Sequence, residues 1–150
     1  MIGLKRNTVK VVDYDPDWAM LALEYCRVVR NACGELLADV LHVGSTAVPE
    51  LPAKPILDIA AALATIDSTP EIVRRLTFIG YFDRGDQGDA GTTYLSLSLL
   101  RTSERSSCVV AHGSRRWREY LHFRDPLRQK PATRKKYADL ETRPCEHLPG

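Results

Sequence analysis

The chain has 150 residues, 44% of them hydrophobic and 27% charged, with a net charge of +2 at neutral pH. That length fits one domain, 1–150, able to bury a core without disulfides or metals, and the composition excludes a disordered chain. A charge this near balance gives no sign of a nucleic-acid binder or a membrane-surface protein, and no apolar run approaches the ~20 residues of a membrane span.

Val9 to Val12 reads as a first short extended segment. Asp15-Pro16 opens a helix, with Asp15 as N-cap and Pro16 at its first position. Trp18, Leu21, Ala22, Tyr25, Val28, Val29, Ala32 and Leu36 then recur at helical spacing. Asp39 to Val43 is a short apolar strand that runs into Gly44-Ser45. Pro49, Pro52 and Pro55 exclude a helix in the following loop. Ile56 to Leu63 reads as a strand buried on both faces. Ser68-x-x-Glu71 has the form of a capping box for a helix through Phe78, and Gly80 stops it. Arg84 to Gly91 is a Gly/Asp-rich loop. Tyr94 to Leu100 alternates at the strand period, Ser107 to Ala111 is a further strand, Arg115 to Phe123 a short helix, and Pro131 begins a last helix carrying Tyr137 and Leu140. The mixture is α+β.

Cys26, Cys33, Cys108 and Cys145 contain no C-x-x-C pair and read as reduced thiols, with Cys26 and Cys33 one heptad apart on a common helix face. The N-terminus lacks the apolar run of a signal peptide. A cytoplasmic protein acting on a small molecule, without nucleic acid or membrane, is the expectation. From Arg101 onward the chain is rich in Arg and Lys, which suits a local basic wall facing an anionic ligand.

The segment His42 to Ile59 carries the chemistry. A strand ends in Gly-Ser, a Pro-stiffened loop follows, and a second strand brings in Asp58. Gly44 lets backbone approach a phosphate without a Cβ in the way, and N–H groups with the Ser45 and Thr46 hydroxyls are donors for its oxygens. An Asp58 carboxylate on the next strand is placed to hold Mg²⁺ against those phosphates, with Lys54 as a further cation.

This segment closely resembles the GrpB family, whose fold is nucleotidyltransferase-like. The resemblance covers nearly the whole chain: Asp13-Tyr-Asp-Pro-x-Trp18, His42-Val-Gly-Ser-Thr-Ala-Val-Pro49, Ala53-Lys-Pro-Ile-Leu-Asp-Ile59, Gly80-Tyr81, Arg84-Gly-Asp86, Gly113-Ser-x-x-Trp117, Phe123-Arg-Asp-x-Leu-Arg128 and Tyr137. It implies a small mixed β-sheet with helices packed mainly on one side, and nucleotidyl transfer as the default activity. The sequence departs from the pattern at the acids. Ala60 stands where the wider superfamily has a second carboxylate. Ser106 and Cys108 stand at the family's His positions, and Ala111 at its acid. Two-metal transfer needs about three acidic ligands holding ions roughly 3.5–4 Å apart. Asp83, Asp86, Asp89 and Glu104 are the candidate substitutes, and the sequence prefers none of them.

Each candidate has a structural alternative. Gly44 and Ser45 also make a tight turn, and Asp58 is equally a carboxylate capping loop amides. His42 is as well explained as a hydrogen-bonded structural histidine, and Lys54 as loop charge. Cys108 is a site thiol on the family alignment and a small buried residue otherwise. His112 shares a strand face with Cys108, about 13 Å away at ~3.3 Å per residue. Arg124 and Arg128, four apart, fork onto a phosphate or carboxylate, or Arg128 pairs with Asp125. Three functions follow. The first is transfer of a nucleotidyl group from an NTP with Mg²⁺ to a small acceptor, with Asp58 and Ser45 catalytic and Gly44, Thr46, Lys54, Arg124 and Arg128 binding phosphate. The second is a repurposed, metal-independent enzyme of the same pocket performing cyclisation, elimination or acyl transfer, with Asp58, His42, Cys108 or His112 as acid/base groups and no cofactor. The third is a non-catalytic ligand-binding or interaction module.

Overall fold

The computed structural model describes residues 11–87, 92–98, 105–111 and 114–142. Four α-helices and five strands are found there, in the order α1 (Asp17–Cys33), β1 (Leu37–Val43), β2 (Ile56–Leu63), α2 (Thr69–Phe78), β3 (Phe82–Asp83), β4 (Thr92–Ser98), β5 (Arg105–Ala111), α3 (Ser114–Gln129) and α4 (Pro131–Thr142). The strands form one mixed sheet in the order β1-β2-β5-β4-β3. Only β2 and β5 run parallel; the other neighbours are antiparallel. This is the α+β class with a small mixed sheet, consistent with a nucleotidyltransferase-like fold.

The start of α1 follows from Asp15, whose carboxylate accepts the Asp17 N–H at 2.9 Å. Trp18, Ala22, Cys26, Val29 and Cys33 recur every three or four residues and are all buried. Leu36 lies past the helix. Gly34, at φ 55°, turns the chain out of it, and a single 3₁₀ turn leads into β1. Val12 of the first expected segment makes one antiparallel bridge with Ala53. Residues 1–10, and Val9 with them, lie outside the described residues.

Strand alternation divides the sheet into two chemistries. Ile59 and Ala61 of β2, Leu95 of β4, and Cys108 and Val110 of β5 point to one face. There they pack with α1 and with Ile72 and Leu76 of α2, all but Cys26 at 7% fully buried. Asp58 and Ala60 of β2 therefore point to the other face, which α3 crosses, contacting β1, β2 and β5.

Two expectations are corrected. Ser68 does not cap α2: it already sits at helical φ and ψ at the end of a 3₁₀ turn, so its hydroxyl cannot reach back to the first turn. It bonds Thr65 Oγ1 instead, at 2.6 Å, while Glu71 pairs with Arg74 and Arg75. The helix beginning near Arg115 does not stop at Phe123 but continues through Pro126 to Gln129. Proline there forfeits one donor, and the turn is held by Leu127, which is buried against Val48 and Leu51. Trp117 is half-buried, whereas Trp18 is core.

The two-faced helix α1 and the buried end of α2 make a stability contrast. Replacing Leu76 by Ala is expected to cost about 2–5 kcal/mol. The same truncation at Met20, which is 71% exposed on α1, is expected to change stability by less than about 0.5 kcal/mol. Urea unfolding with an unchanged m value measures both.

Candidate functional site

The site lies where β1 ends beside β2. Register places Val43 opposite Asp58, so the next residue, Gly44, passes over the Asp58 side chain. Gly44 has φ 78°, a value that side chains other than hydrogen rarely accept. A Cβ on Gly44 would overlap Asp58 Oδ2. The glycine is therefore required twice, by its own backbone and by the carboxyl beneath it. Ser45–Ala47 then form a 3₁₀ turn, with Ala47 and Val48 donating to the Gly44 and Ser45 carbonyls.

Ser45, Thr46, Ala53, Lys54, Ile56 and Asp58 line a cavity of about 180 Å³. The Asp58 side chain keeps an opening to it and makes no hydrogen bond or ion pair among the described residues. Burial raises its pKa to about 7. Lys54 is exposed at the rim, between Ala53, which bridges Val12, and Pro55. The Ile56 N–H donates to the Lys54 carbonyl at 2.7 Å, a tight turn around the proline.

Thr46 of the loop and His42 of β1 are committed to the protein. Thr46 is buried, and its one hydroxyl proton goes to the Ile56 carbonyl at 2.9 Å. His42 Nε2 lies 2.9 Å from the Thr46 hydroxyl oxygen, whose own proton is already given away, so Nε2 carries the proton and donates, and Nδ1 is bare. Burial first, then the Arg128 and Arg124 charges, push the His42 pKa down to about 4, and the ring is neutral at physiological pH. This pins the loop to both strands.

Arg124 and Arg128, expected on a ligand, are found on backbone. Arg124 Nη1 donates to the His42 carbonyl at 3.1 Å and its Nε to Asp125 at 2.8 Å; Arg128 Nε donates to the Ala47 carbonyl at 2.8 Å. The two carbonyls flank the Gly44-Ser45-Thr46 turn, so α3 clamps it from both ends. The expected Asp125–Arg128 pair is replaced by Asp125–Arg124. Ser45 Oγ lies 3.5 Å from the Tyr137 hydroxyl of α4, whose ring packs edge-on against Phe123 at 5.2 Å.

Cys108 is corrected as a site thiol. Register pairs it with Ile59, which puts it on the core face, away from Asp58. It is fully buried, and burial pushes its pKa far above the usual thiol range. Ser106 faces the same way and bonds Tyr81 at 3.1 Å. The β5 residue beside Asp58 is Ser107, and beyond it on β4 comes Ser96. Sequence reasoning passed over Ser107 because motif alignment, not strand parity, chose Cys108. Parity separates the two only once β5 is set in register against β2. His112, Asp89 and Glu104 lie outside the described residues.

The acid set does not fit a two-metal centre. Asp58 has Ala60 two places along its own strand and Ser107 beside it, and no group of three His, Cys, Asp or Glu capable of holding an ion occurs among the described residues. The site instead offers one carboxyl without a hydrogen bond or ion pair among the described residues, one ammonium and one hydroxyl around a small cavity.

The chain matches a family model described as GrpB protein over residues 8–149. It is 37% identical to a UPF0157 protein of Streptomyces coelicolor over 141 residues, 93% of this chain and 72% of that protein. The solved structure of the conserved protein GrpB from Enterococcus faecalis is similar with a TM-score of 0.76 and 28% identity, over 87% of this chain and 79% of the other. A shorter similarity, 32% over 81 residues, is to dephospho-CoA kinase of Mycobacterium tuberculosis, covering 52% of this chain and 20% of the kinase. No helix among the described residues is long and apolar enough to cross a membrane.

Gly44→Ala is expected to destabilise the protein by about 2 kcal/mol or more, through strain and overpacking together. In an Asp58→Ala background the same change is expected to cost measurably less, because the overlapping carboxyl is gone. A double-mutant cycle by chemical unfolding reads the difference.

The raised pKa of Asp58 also sets a pH dependence. The unfolded chain ionises this carboxyl near pH 4, while the folded protein keeps its proton to about pH 7. The folded state binds more protons across that window, so stability falls as pH rises through it and levels above it. Relative to Asp58→Asn, the wild type is expected to lose at most about 4 kcal/mol between pH 4 and 8, measured by urea unfolding at each pH.

Proposed function

The chain belongs to the GrpB family, and with that as premise we propose that it is a small-molecule enzyme in which Asp58 moves a proton without a metal ion. The observation that supports this reading is the Asp58 carboxyl itself, open to a polar cavity, pressed under Gly44 and without a hydrogen bond or ion pair among the described residues. A buried carboxyl held near half-ionisation at neutral pH is suited to take a proton from a hydroxyl, an amine or an activated carbon, and to return it. Lys54 at the rim neutralises an anionic group on the substrate. Ser45, on the clamped turn, donates a hydrogen bond to the group that gains charge. The neutral His42 and the two arginines keep that turn fixed rather than touching substrate. Cyclisation, elimination and acyl transfer all need such a proton movement.

A second reading is nucleotidyl transfer from an NTP with Mg²⁺ to a small acceptor. It is favoured by the glycine-carboxylate juxtaposition and by the similarity over half of this chain to a protein whose name is that of a nucleotide-related kinase. Asp58 is the one carboxylate this cavity offers to it.

A thermal-shift series of small phosphorylated and carboxylated metabolites, and of nucleotides, each with and without Mg²⁺, separates the two. The first reading expects an anionic metabolite to raise the melting temperature equally in both conditions, and Lys54→Met to abolish the rise. A rise confined to NTP with Mg²⁺ selects the second. With a substrate in hand, Asp58→Asn is expected to lower kcat by about 10²–10⁴ while the melting shift by ligand survives. A fully active Asp58→Asn enzyme ends the first reading.

A further inference from the structure

The face of the sheet that carries Asp58 continues beyond the cavity. Cross-strand partners point to the same side, so Asp58, Ser107, Ser96 and Phe82 form one row over β2, β5, β4 and β3. At the far end of that row Arg84 folds back over it. Its backbone is fixed by a pair of ladder bonds, the Arg84 N–H to the Tyr94 carbonyl at 2.7 Å and the Tyr94 N–H to the Gly85 carbonyl at 2.8 Å. Its Nε donates to Ser96 Oγ at 2.8 Å. Its guanidinium carbon sits 5.7 Å from the centre of the Phe82 ring, and that ring is 63% exposed.

These contacts leave a definite remainder. A guanidinium has five N–H donors in a rigid plane. Here one is used and the guanidinium carbon sits over an aromatic ring, so the group is held at two points, while Nη1 and Nη2 make no hydrogen bond or ion pair among the described residues. The nearest acid in sequence, Asp83, turns its carboxylate to the Gly85 N–H at 2.8 Å. Ser107, next in the row toward Asp58, also makes no side-chain hydrogen bond among the described residues. Arg84 is held by Ser96 and Phe82 rather than by an acid.

We infer that Arg84 is an anion-binding subsite for the same ligand that reaches Asp58. It takes a terminal carboxylate or phosphate in a bidentate fork on Nη1 and Nη2, with Ser107 donating to the ligand on the way. Strands lie about 4.8 Å apart, so Ser96 is roughly 10 Å from Asp58 along the row. The ligand is then an elongated molecule with an oxyanion at one end and the group that meets Asp58 at the other. The inference rests on the proposed role of Asp58 only for the far end of that molecule; the fork itself stands on its own contacts.

Arginine side-chain N–H resonances of the ¹⁵N-labelled full chain, titrated with inorganic phosphate and in a separate arm with acetate, test it. The Arg84 Nε–H peak, assigned by its loss in Arg84→Lys, is expected to move saturably in at least one arm. Movement with phosphate alone assigns a phosphate end, and movement with acetate alone a carboxylate end. Arg84→Lys, which cannot fork, is expected to bind the same anion at least about tenfold more weakly by its melting shift. An Arg84 peak that stays fixed in both arms overturns the proposal, as does an Arg84→Lys protein protected as well as the wild type. The titration repeated on Asp58→Asn keeps the two roles apart. An Arg84 response unchanged there supports the subsite whatever Asp58 does in a reaction, and a response lost there overturns it as a separate anchor.

Discussion

The absence of a side chain at Gly44 is the condition on which the site depends. The backbone leaving β1 must cross the Asp58 carboxyl so closely that a methyl group at Gly44 would meet Oδ2. Once that crossing is fixed, the rest of the loop has little freedom. Thr46 ties it to β2 through the Ile56 carbonyl, His42 ties Thr46 to β1, and Arg124 and Arg128 hold the carbonyls on either side. Four side chains thus immobilise a three-residue turn. Such a supporting shell is what holds a reacting group to a fraction of an ångström.

Charge is distributed around this turn with an economy that bears on its chemistry. Two arginines lie within reach of His42, yet neither pairs with Asp58, and their field falls on a ring that stays neutral. Asp58 is left to desolvation, which raises its pKa. Had Arg124 reached across to Asp58, the carboxylate would be ionised at all ordinary pH and poor as a proton carrier. The clamps spend their donors on carbonyl oxygens instead, which positions the turn without fixing the charge of the carboxyl.

Much of the scaffold was legible in the sequence because local chemistry and tertiary need coincide there. Strand β2 has the bounds that the run Ile56 to Leu63 suggested, and Asp15 caps α1 as its position before Pro16 implied. The Gly44, Ser45 and Asp58 convergence was also readable, since a glycine at a strand end followed by a proline-stiffened return leaves few routes. What failed was decided by parity and by long-range partners. Cys108 and Ser107 are adjacent in sequence, and only the β2–β5 register says which one shares a face with Asp58. Arg124 and Arg128 carry the same sequence signal whether they bind a ligand or a backbone carbonyl 81 or 82 residues away. Ser68 had the residue types of a capping box, but a preceding 3₁₀ turn set its φ and ψ.

The same parity gives meaning to the alanine at position 60. It lies on the Asp58 face, roughly 6.6 Å along the strand, where a second carboxylate would complete a metal pair. Ala60 is fully buried in this chain. Its place is filled space rather than an open ligand position awaiting an ion, and a carboxylate introduced there would be desolvated with no partner on β5, where Val109 stands in register. What the face retains is a row of small hydroxyl residues leading from one uncharged-prone acid to one guanidinium held at two points. That spacing suits an elongated anion better than a pair of divalent cations.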